Sequence, residues 1–265
     1  MRLLHMSDIH FGGEDAPALA AATAFAKATP FDLLVLTGDL TQVADDNEFA
    51  AVKAWLAELP GPMLATPGNH DTPWMGLAER IAAPFRRYAR SVGPPDDSGF
   101  AADGLTARAI NSARGWQIRL NWSKGEVSRA QTSKVAKRFA AAAPGALRVL
   151  ACHHPLVEAA GGPMTGRVRG GRHAARHLEA AGVDLVLTGH LHAPFMQALP
   201  YGDGMTYAVG ASTLSLRERG ARPGFNVIET RGGELTVTAM AWDGLALEVE
   251  HTWLAPLRRR AGDGV

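Results

Sequence analysis

The chain is short of most features that mark a specialised class of protein. A single cysteine, Cys152, leaves no partner for an intramolecular disulfide and fits a reducing compartment. Neither sign of charge prevails. With 27 Lys and Arg against 26 Asp and Glu, the net charge is +1, so no global field would steer nucleic acid or an anionic bilayer toward the protein. No apolar run reaches the length that spans a bilayer. The opening Met1–Asp8 carries too short an apolar stretch for a signal peptide, and cleavage there would remove Asp8. No internal repeat is found. Only Ser91–Gly104, with Pro94-Pro95-Asp96-Asp97, reads like a linker, and it is too short to separate domains, so a loop is expected there. What remains is an ordinary cytoplasmic chain, long enough at 265 residues for one large α/β domain over 1–256. Residues 257–265, with Arg258-Arg259-Arg260, are expected to form a solvated tail. A homo-oligomer is compatible with this composition.

Apolar runs alternate with stretches of helical period, the pattern of βαβ units. Strands are expected at Arg2–Ser7, Asp32–Thr37, Met63–Thr66, Leu105–Asn111, Leu147–Cys152 and Asp184–Thr188. Helices are expected at Ala16–Ala28, at Glu48–Leu59 capped by Asp45 or Asp46, near Leu77–Arg90, at Ser128–Ala142 and at Arg172–Ala181. From Phe195 onward strands dominate: Phe195–Leu199, Thr206–Val209, Phe225–Thr230, Leu235–Ala241 and Leu247–Trp253, with Gly232-Gly233 as a hairpin turn. Alternation alone would allow a doubly wound sheet. The trailing strands cannot all extend a parallel sheet through hairpins, so a second, mixed sheet is expected.

The most informative feature is where polar clusters fall on this frame. Asp8-x-His10, Gly38-Asp39, Gly68-Asn69-His70-Asp71, His153-His154 and Gly189-His190-x-His192 each lie just past an apolar run that reads as a strand. One His beside an Asp is commonly a turn residue. Five such clusters in series suit a two-metal phosphoesterase. Phosphodiester charge repels hydroxide, and two divalent ions roughly 3.5–4 Å apart both neutralise the phosphoryl oxygens and lower the pKa of a bridging water. Asp39 is placed to bridge such a pair. Asp8 and His10 share the period-2 face of an extended segment and can reach one ion together. His190 and His192 have the same spacing, so one can serve each ion, while Asn69 offers an amide oxygen and His153 an imidazole.

The order and spacing of these motifs resemble the calcineurin-like metallophosphoesterase superfamily. Asp8-Ile9-His10-Phe11 and His153-His154-Pro155 are most similar to its class III cyclic nucleotide phosphodiesterase and glycerophosphodiesterase branch. The resemblance runs from about Arg2 to His192. It implies a four-layer α/β/β/α sandwich of two mixed sheets with the dinuclear site at the strand ends. It also implies two divalent ions (Mn, Fe or Zn), held by Asp8, His10, Asp39 and His192 and by Asp39, Asn69, His153 and His190. The implied activity is hydrolysis of a small phosphodiester, of cyclic nucleotide or glycerophosphodiester type, by a bridging hydroxide. A nuclease or a nucleotide-lipid pyrophosphatase would share the chemistry and differ at the rim, and a silent binding scaffold would share only the fold.

The resemblance makes His70 the histidine that faces the substrate phosphate, and Asp71 could hold its tautomer from behind. Cys152 reads as a buried core residue, His154 as a structural neighbour of the ligands, His5 as a strand residue, and His173 with His177 as a helix surface pair. Two segments could rim the site: Asn111–Val127, with Trp116 and Trp122, and Glu158–Arg172, with Arg167 and Arg169. Arginine with aromatic residues would suit a second phosphate or a nucleobase. The chain has no separate cap domain and no strong nucleic-acid signal, which favours small substrates.

Overall fold

Period-2 alternation along the first two strands divides the core. Leu3, Leu33 and Val35 belong to one apolar cluster, whereas Leu4, Met6, Leu34 and Leu36 belong to another. A strand buried on both faces needs a layer on each side, and both are present.

The computed structural model describes residues 1–118, 121, 123–160 and 168–258. Its first half contains β1 (Arg2–Met6), α1 (Ala16–Ala28), β2 (Leu33–Thr37), α2 (Asp46–Glu58), β3 (Met63–Thr66), α3 (Leu77–Ala82), α4 (Arg86–Ser91), β4 (Gly99–Ala102) and β5 (Leu105–Ala109). Then follow α5 (Arg129–Ala140), β6 (Leu147–Ala151), α6 (Gly171–Ala180), β7 (Leu185–Thr188), β8 (Phe195–Ala198), β9 (Tyr207–Gly210), β10 (Gly224–Arg231), β11 (Glu234–Trp242) and β12 (Leu247–Pro256). One sheet has the order β12-β11-β10-β1-β2-β3 and the other β4-β5-β6-β7-β9-β8.

Both sheets are mixed. In the first, β1 pairs parallel with β2 and antiparallel with β10; in the second, β5, β6, β7 and β9 are parallel and the flanking strands antiparallel. The middle cluster takes Leu3, Val35 and Ile228 from one sheet and Val149, Leu187 and Val209 from the other. Outside the first sheet lie Ala18, Ala22, Phe49 and Trp55 of α1 and α2; outside the second lie Phe139, Ala174 and Leu178 of α5 and α6. The result is the four-layer α/β/β/α sandwich, with helices on only one face of each sheet.

Local signals explain the element ends. Asp45, not Asp46, caps α2 in a capping box with Glu48, and Ser128 makes the same box with Gln131 at α5. Gly232 and Gly233 both take positive φ in the β10–β11 turn. Three expectations need correction. The single helix near Leu77–Arg90 is two short helices, because Pro84 cannot donate within a helix and breaks the run. The loop Ser91–Gly104 contains the edge strand β4, whose exposed Gly-Phe-Ala-Ala gave no alternation to read. The tail does not begin at 257: Leu257 packs on the central core, and Arg258 bonds Asp203 at 2.8 Å with Glu179 and Asp184 nearby. Residues 259–265 lie outside the described residues.

Because the Arg258 side chain is only 16 % exposed among three carboxylates, Arg258→Ala is expected to destabilise the fold by about 1–3 kcal/mol. Urea unfolding checks this. An unchanged midpoint would mean that the anchor contributes nothing.

Candidate metal centre

Each polar cluster sits where a parallel strand ends, and at three of the five the backbone is strained. Among the described residues, seven non-glycine positions have positive φ, and five of them are Asp8 (53°), His10 (53°), Asp39 (48°), His190 (68°) and His192 (57°). Such conformations cost about 1–3 kcal/mol each and persist only where surrounding contacts impose them. Here the turns brace one another. Asp8 N donates to Gly38 O, His10 N to Asp39 O, Gly189 N to His153 O, and Leu214 N to Asp8 O. The close approach leaves no room for side chains at the crossing points. A β-carbon on Gly189 would overlap Ser7 Oγ and Asp8 Oδ2, and one on Gly68 would overlap Asp39.

The side chains then converge in four groups that share members, among them His10 with Asp39 and His70, and His153 with His154 and His190. His192 Nε2 lies 3.0 Å from Asp8 Oδ1 and 3.5 Å from His10 Nε2, and His10 Nε2 lies 3.9 Å from both Asp8 Oδ1 and Asp39 Oδ2. On the other side of Asp39, His153 Nε2 lies 3.2 Å from Oδ2. Asp8, His10 and His192 form one group that could hold a metal ion, and Asp8, Asp39 and His153 another. The partners of the remaining atoms fix which atoms face inward. Asp8 Oδ2 accepts from Ser7 Oγ and His190 N, and Asp39 Oδ1 accepts from His70 N. His153 Nδ1 donates to Thr37 O and His192 Nδ1 to Arg217 O. A ligating histidine typically holds its other N–H on a carbonyl in this way, which directs the Nε2 lone pair into the site.

Several buried atoms of these residues have no hydrogen-bond partner: Asp8 Oδ1, Asn69 Oδ1, His153 Nε2 and His10 Nδ1. Facing acceptors in a dry site repel unless a cation lies among them. The donor set of imidazole, carboxylate and amide oxygen, without thiolate, fits divalent ions. Charge distribution agrees. Burial would raise the Asp8 carboxyl, but His192 outweighs it and holds it well below the usual range. Asp39 is likewise held low, chiefly by His153 against its own burial. Burial drives His10 down to about 3 and His190 in the same direction, so both stay neutral. For His153, burial also favours the neutral ring, yet Asp39 and Asp8 raise it to about 9.

Residues 1–194 match the calcineurin-like phosphoesterase family. The chain belongs to that family. It is 27 % identical over 247 residues to a probable cyclic nucleotide phosphodiesterase of a Synechococcus species, a match covering 89 % of this chain and 80 % of that one. This relative agrees with the class III branch that the motifs resemble. A dimetal phosphatase from Danio rerio shares the fold with a TM-score of 0.67 at 8 % identity, covering 97 % of this chain and 99 % of that one. GAP50, the anchor in the inner membrane complex of Plasmodium, has a TM-score of 0.62 at 14 % identity, covering 98 % and 89 %.

This calcineurin-like site corrects one expected role. Asp71 does not hold the His70 tautomer. Its Oδ1 accepts from Thr41 N and Thr41 Oγ1, and its Oδ2 accepts from Gly68 N, so it ties the turn bearing Asn69 and His70 to the turn after Asp39. Burial and the neighbouring Asp39 push it up to about 6. The His70 tautomer is set instead by Gln42, whose carbonyl accepts from Nδ1 at 2.7 Å. His154 stands beside His153 and His190, but its Nε2 faces Ser123 O at 2.7 Å and its Nδ1 faces Ser112 Oγ at 2.9 Å, so it has no lone pair free for an ion. Cys152 is buried, which pushes its thiol up to about 12. His5 hydrogen-bonds Thr37 and Asn226 in the sheet, and His173 and His177 stack on α6.

The rim differs from the expected one. Trp122 and Arg167 lie outside the described residues. Arg169 points to Glu126 at 3.7 Å, and Val127 N donates to Arg169 O, so the two expected loops are joined and Arg169 is paired. Trp116 is half exposed on its loop. The arginines at the site come from elsewhere. In the loop between β9 and β10, Arg217 Nη1 lies 2.9 Å from His70 Nε2, and Arg219 Nη1 donates to His190 O. In the same loop, Thr213 Oγ1 donates to Asp8 O at 2.6 Å. No local signal in the sequence located them: this loop reaches the site only because β9 runs parallel to β7 and emerges at the same edge.

At pH 7 a divalent cation entering beside His153 must displace the proton held against Asp39. Binding should therefore release a proton, and affinity should rise with pH until about 9, where His153 loses that proton unaided. Calorimetry in two buffers of different ionisation enthalpy measures it. Proton-neutral binding at pH 7 would contradict the arrangement.

Proposed function

We propose that the chain is a two-metal phosphodiesterase for small diesters of the cyclic nucleotide or glycerophosphodiester type. In this reading Asp8, His10, Asp39 and His192 hold one divalent ion, and Asp39, Asn69, His153 and His190 hold the other. The observation that carries it is the convergence of Asp8, His10, Asp39, His153 and His192 from separate strand ends, with Asp8 Oδ1 and Asn69 Oδ1 buried and without a hydrogen-bond partner. When bound, such a pair supplies positive charge to the phosphoryl oxygens and lowers the pKa of the attacking water. Mn, Fe and Zn suit these donors equally. The Synechococcus relative, a probable cyclic nucleotide phosphodiesterase, supports a phosphodiester as the substrate class.

The chain's own residues position the diester and handle the leaving group. His70 spends Nδ1 on the Gln42 carbonyl, so only Nε2 can meet the substrate. Arg217 lies against that Nε2 and has no carboxylate partner among the described residues, leaving most of its five donors for a phosphoryl oxygen. When the diester enters, Arg217 turns from Nε2 to the phosphoryl group. The freed Nε2 takes up a proton from solvent and passes it to the departing alkoxide oxygen, which returns the ring to its neutral form with Nδ1–H on the Gln42 carbonyl. Asp71 acts on neither. It keeps Asn69 and His70 at their positions through Gly68 and Thr41.

Four variants test this reading. Asp39→Asn is expected to lower occupancy at both metal positions, whereas His10→Ala affects mainly one; metal analysis after dialysis reads the difference, and full double occupancy in Asp39→Asn would remove the bridge. His70→Ala should keep both ions and lose about 10²–10⁴-fold in kcat for an alkoxide leaving group, but much less for a phenolate. Equal losses for both would assign His70 to phosphate binding alone. Arg217→Ala should lower kcat/KM about 10–100-fold, mostly through KM, as the loss of a charge-assisted hydrogen bond implies.

A further inference from the structure

We infer that the natural diester carries a hydrocarbon chain, which lies on an apolar apron leading away from His70. This rests on the phosphodiesterase reading and narrows its substrate class. A cavity of about 150 Å³ opens beside His70 and Asn69; Gln42, Thr72, Arg80 and Ser123 give it polar walls, and Val43 and Trp74 apolar ones. The Trp74 ring stands at 73° to the His70 ring with centroids 6.2 Å apart. Beyond it the surface is unusually apolar. Trp74 is 61 % exposed, and Met75, Leu77 and Ile81 follow it into α3, a helix with no buried residue. The loop with Trp116 and Ile118 docks on that helix, since Arg80 Nε donates to Gly115 O and Gly115 packs against Arg80 O and Pro84. These six account for most of the large apolar side chains exposed among the described residues, and such clustering marks a binding surface.

The identity of the occupant follows from where the apron begins. A protein partner or a second copy spread over it would seal the cavity at His70 and shut the substrate out. A substituent of the substrate itself covers the apron and leaves the site working. A nucleobase needs hydrogen-bonding partners at its edge, whereas Met75, Leu77, Ile81 and Ile118 offer none. Aliphatic side chains with two indole rings suit an alkyl or acyl chain.

The test uses diesters of glycerol 3-phosphate with methanol, hexanol or adenosine, assayed with the metal-loaded protein through release of glycerol 3-phosphate. Each methylene fully buried contributes up to about fourfold, so kcat/KM should rise at least about tenfold from methyl to hexyl. Trp74→Ala and Ile118→Ser should each cut that hexyl-to-methyl ratio several-fold. With Zn²⁺ bound, the indole N–H resonance missing from Trp74→Phe should shift on titration with hexyl phosphate and not with methyl phosphate. Flat chain-length dependence, a ratio unmoved by both variants, or preference for the adenosine ester overturns the inference. So does a dimer, seen by sedimentation, that either variant dissociates. Absence of turnover for every ester would refute the phosphodiesterase reading instead, and the indole resonance would still report whether the hydrocarbon occupies the apron.

Discussion

Carboxylates and imidazoles crowded together out of water are unfavourable, and the rest of this structure is arranged to hold them there. Asp8 Oδ1 lies 3.0 Å from His192 Nε2, Asp39 Oδ2 lies 3.2 Å from His153 Nε2, and two imidazole Nε2 atoms stand 3.5 Å apart. Left to relax, these groups would separate or turn to water. They are held by a backbone in left-handed conformations at four of the same residues, Asp8, His10, Asp39 and His192. The strain is affordable because the strands behind the turns are among the best-packed parts of the protein, with β2 and β7 buried along their whole length.

Precision at the site comes from assigning each polar atom one task. Each key carboxylate has one oxygen turned inward and one tied to the protein: Asp8 Oδ2 to Ser7 and His190, Asp39 Oδ1 to the His70 backbone. His153 and His192 do the same with their two nitrogens. Asp71 has both oxygens tied and so belongs to the frame, although it follows directly on Asn69 and His70. Nearness in sequence is a poor guide to role here. The deciding quantity is which atoms are left without a partner.

The loop between β9 and β10 links the two sheets at this edge. Thr213 supports Asp8 of the first sheet, and Arg219 supports His190 of the second. The same loop accepts from His192 through Arg217 O and sends the Arg217 side chain to His70. A single segment thus braces the turns that carry Asp8, His190 and His192 and faces His70. Opposite it, Trp74 continues the wall outward from His70.

Much of this was legible in the chain alone. Apolar runs located the buried strands, Asp45 and Ser128 announced their helices, and the polar clusters after five strands identified the residues that meet at the centre. Those signals are local, and local physical chemistry imposes them: a buried strand must be apolar, and a helix N-terminus must be capped. The pairing of β1 with β10, the arrival of Arg217 at His70, the capture of Arg169 by Glu126 and the turning of Asp71 into the frame were not legible. Each depends on which strand lies beside which and in what direction, and so on contacts between residues far apart in the chain. Periodicity reports which face of an element is buried, but not what is buried against it. That was decided only when the two sheets packed together.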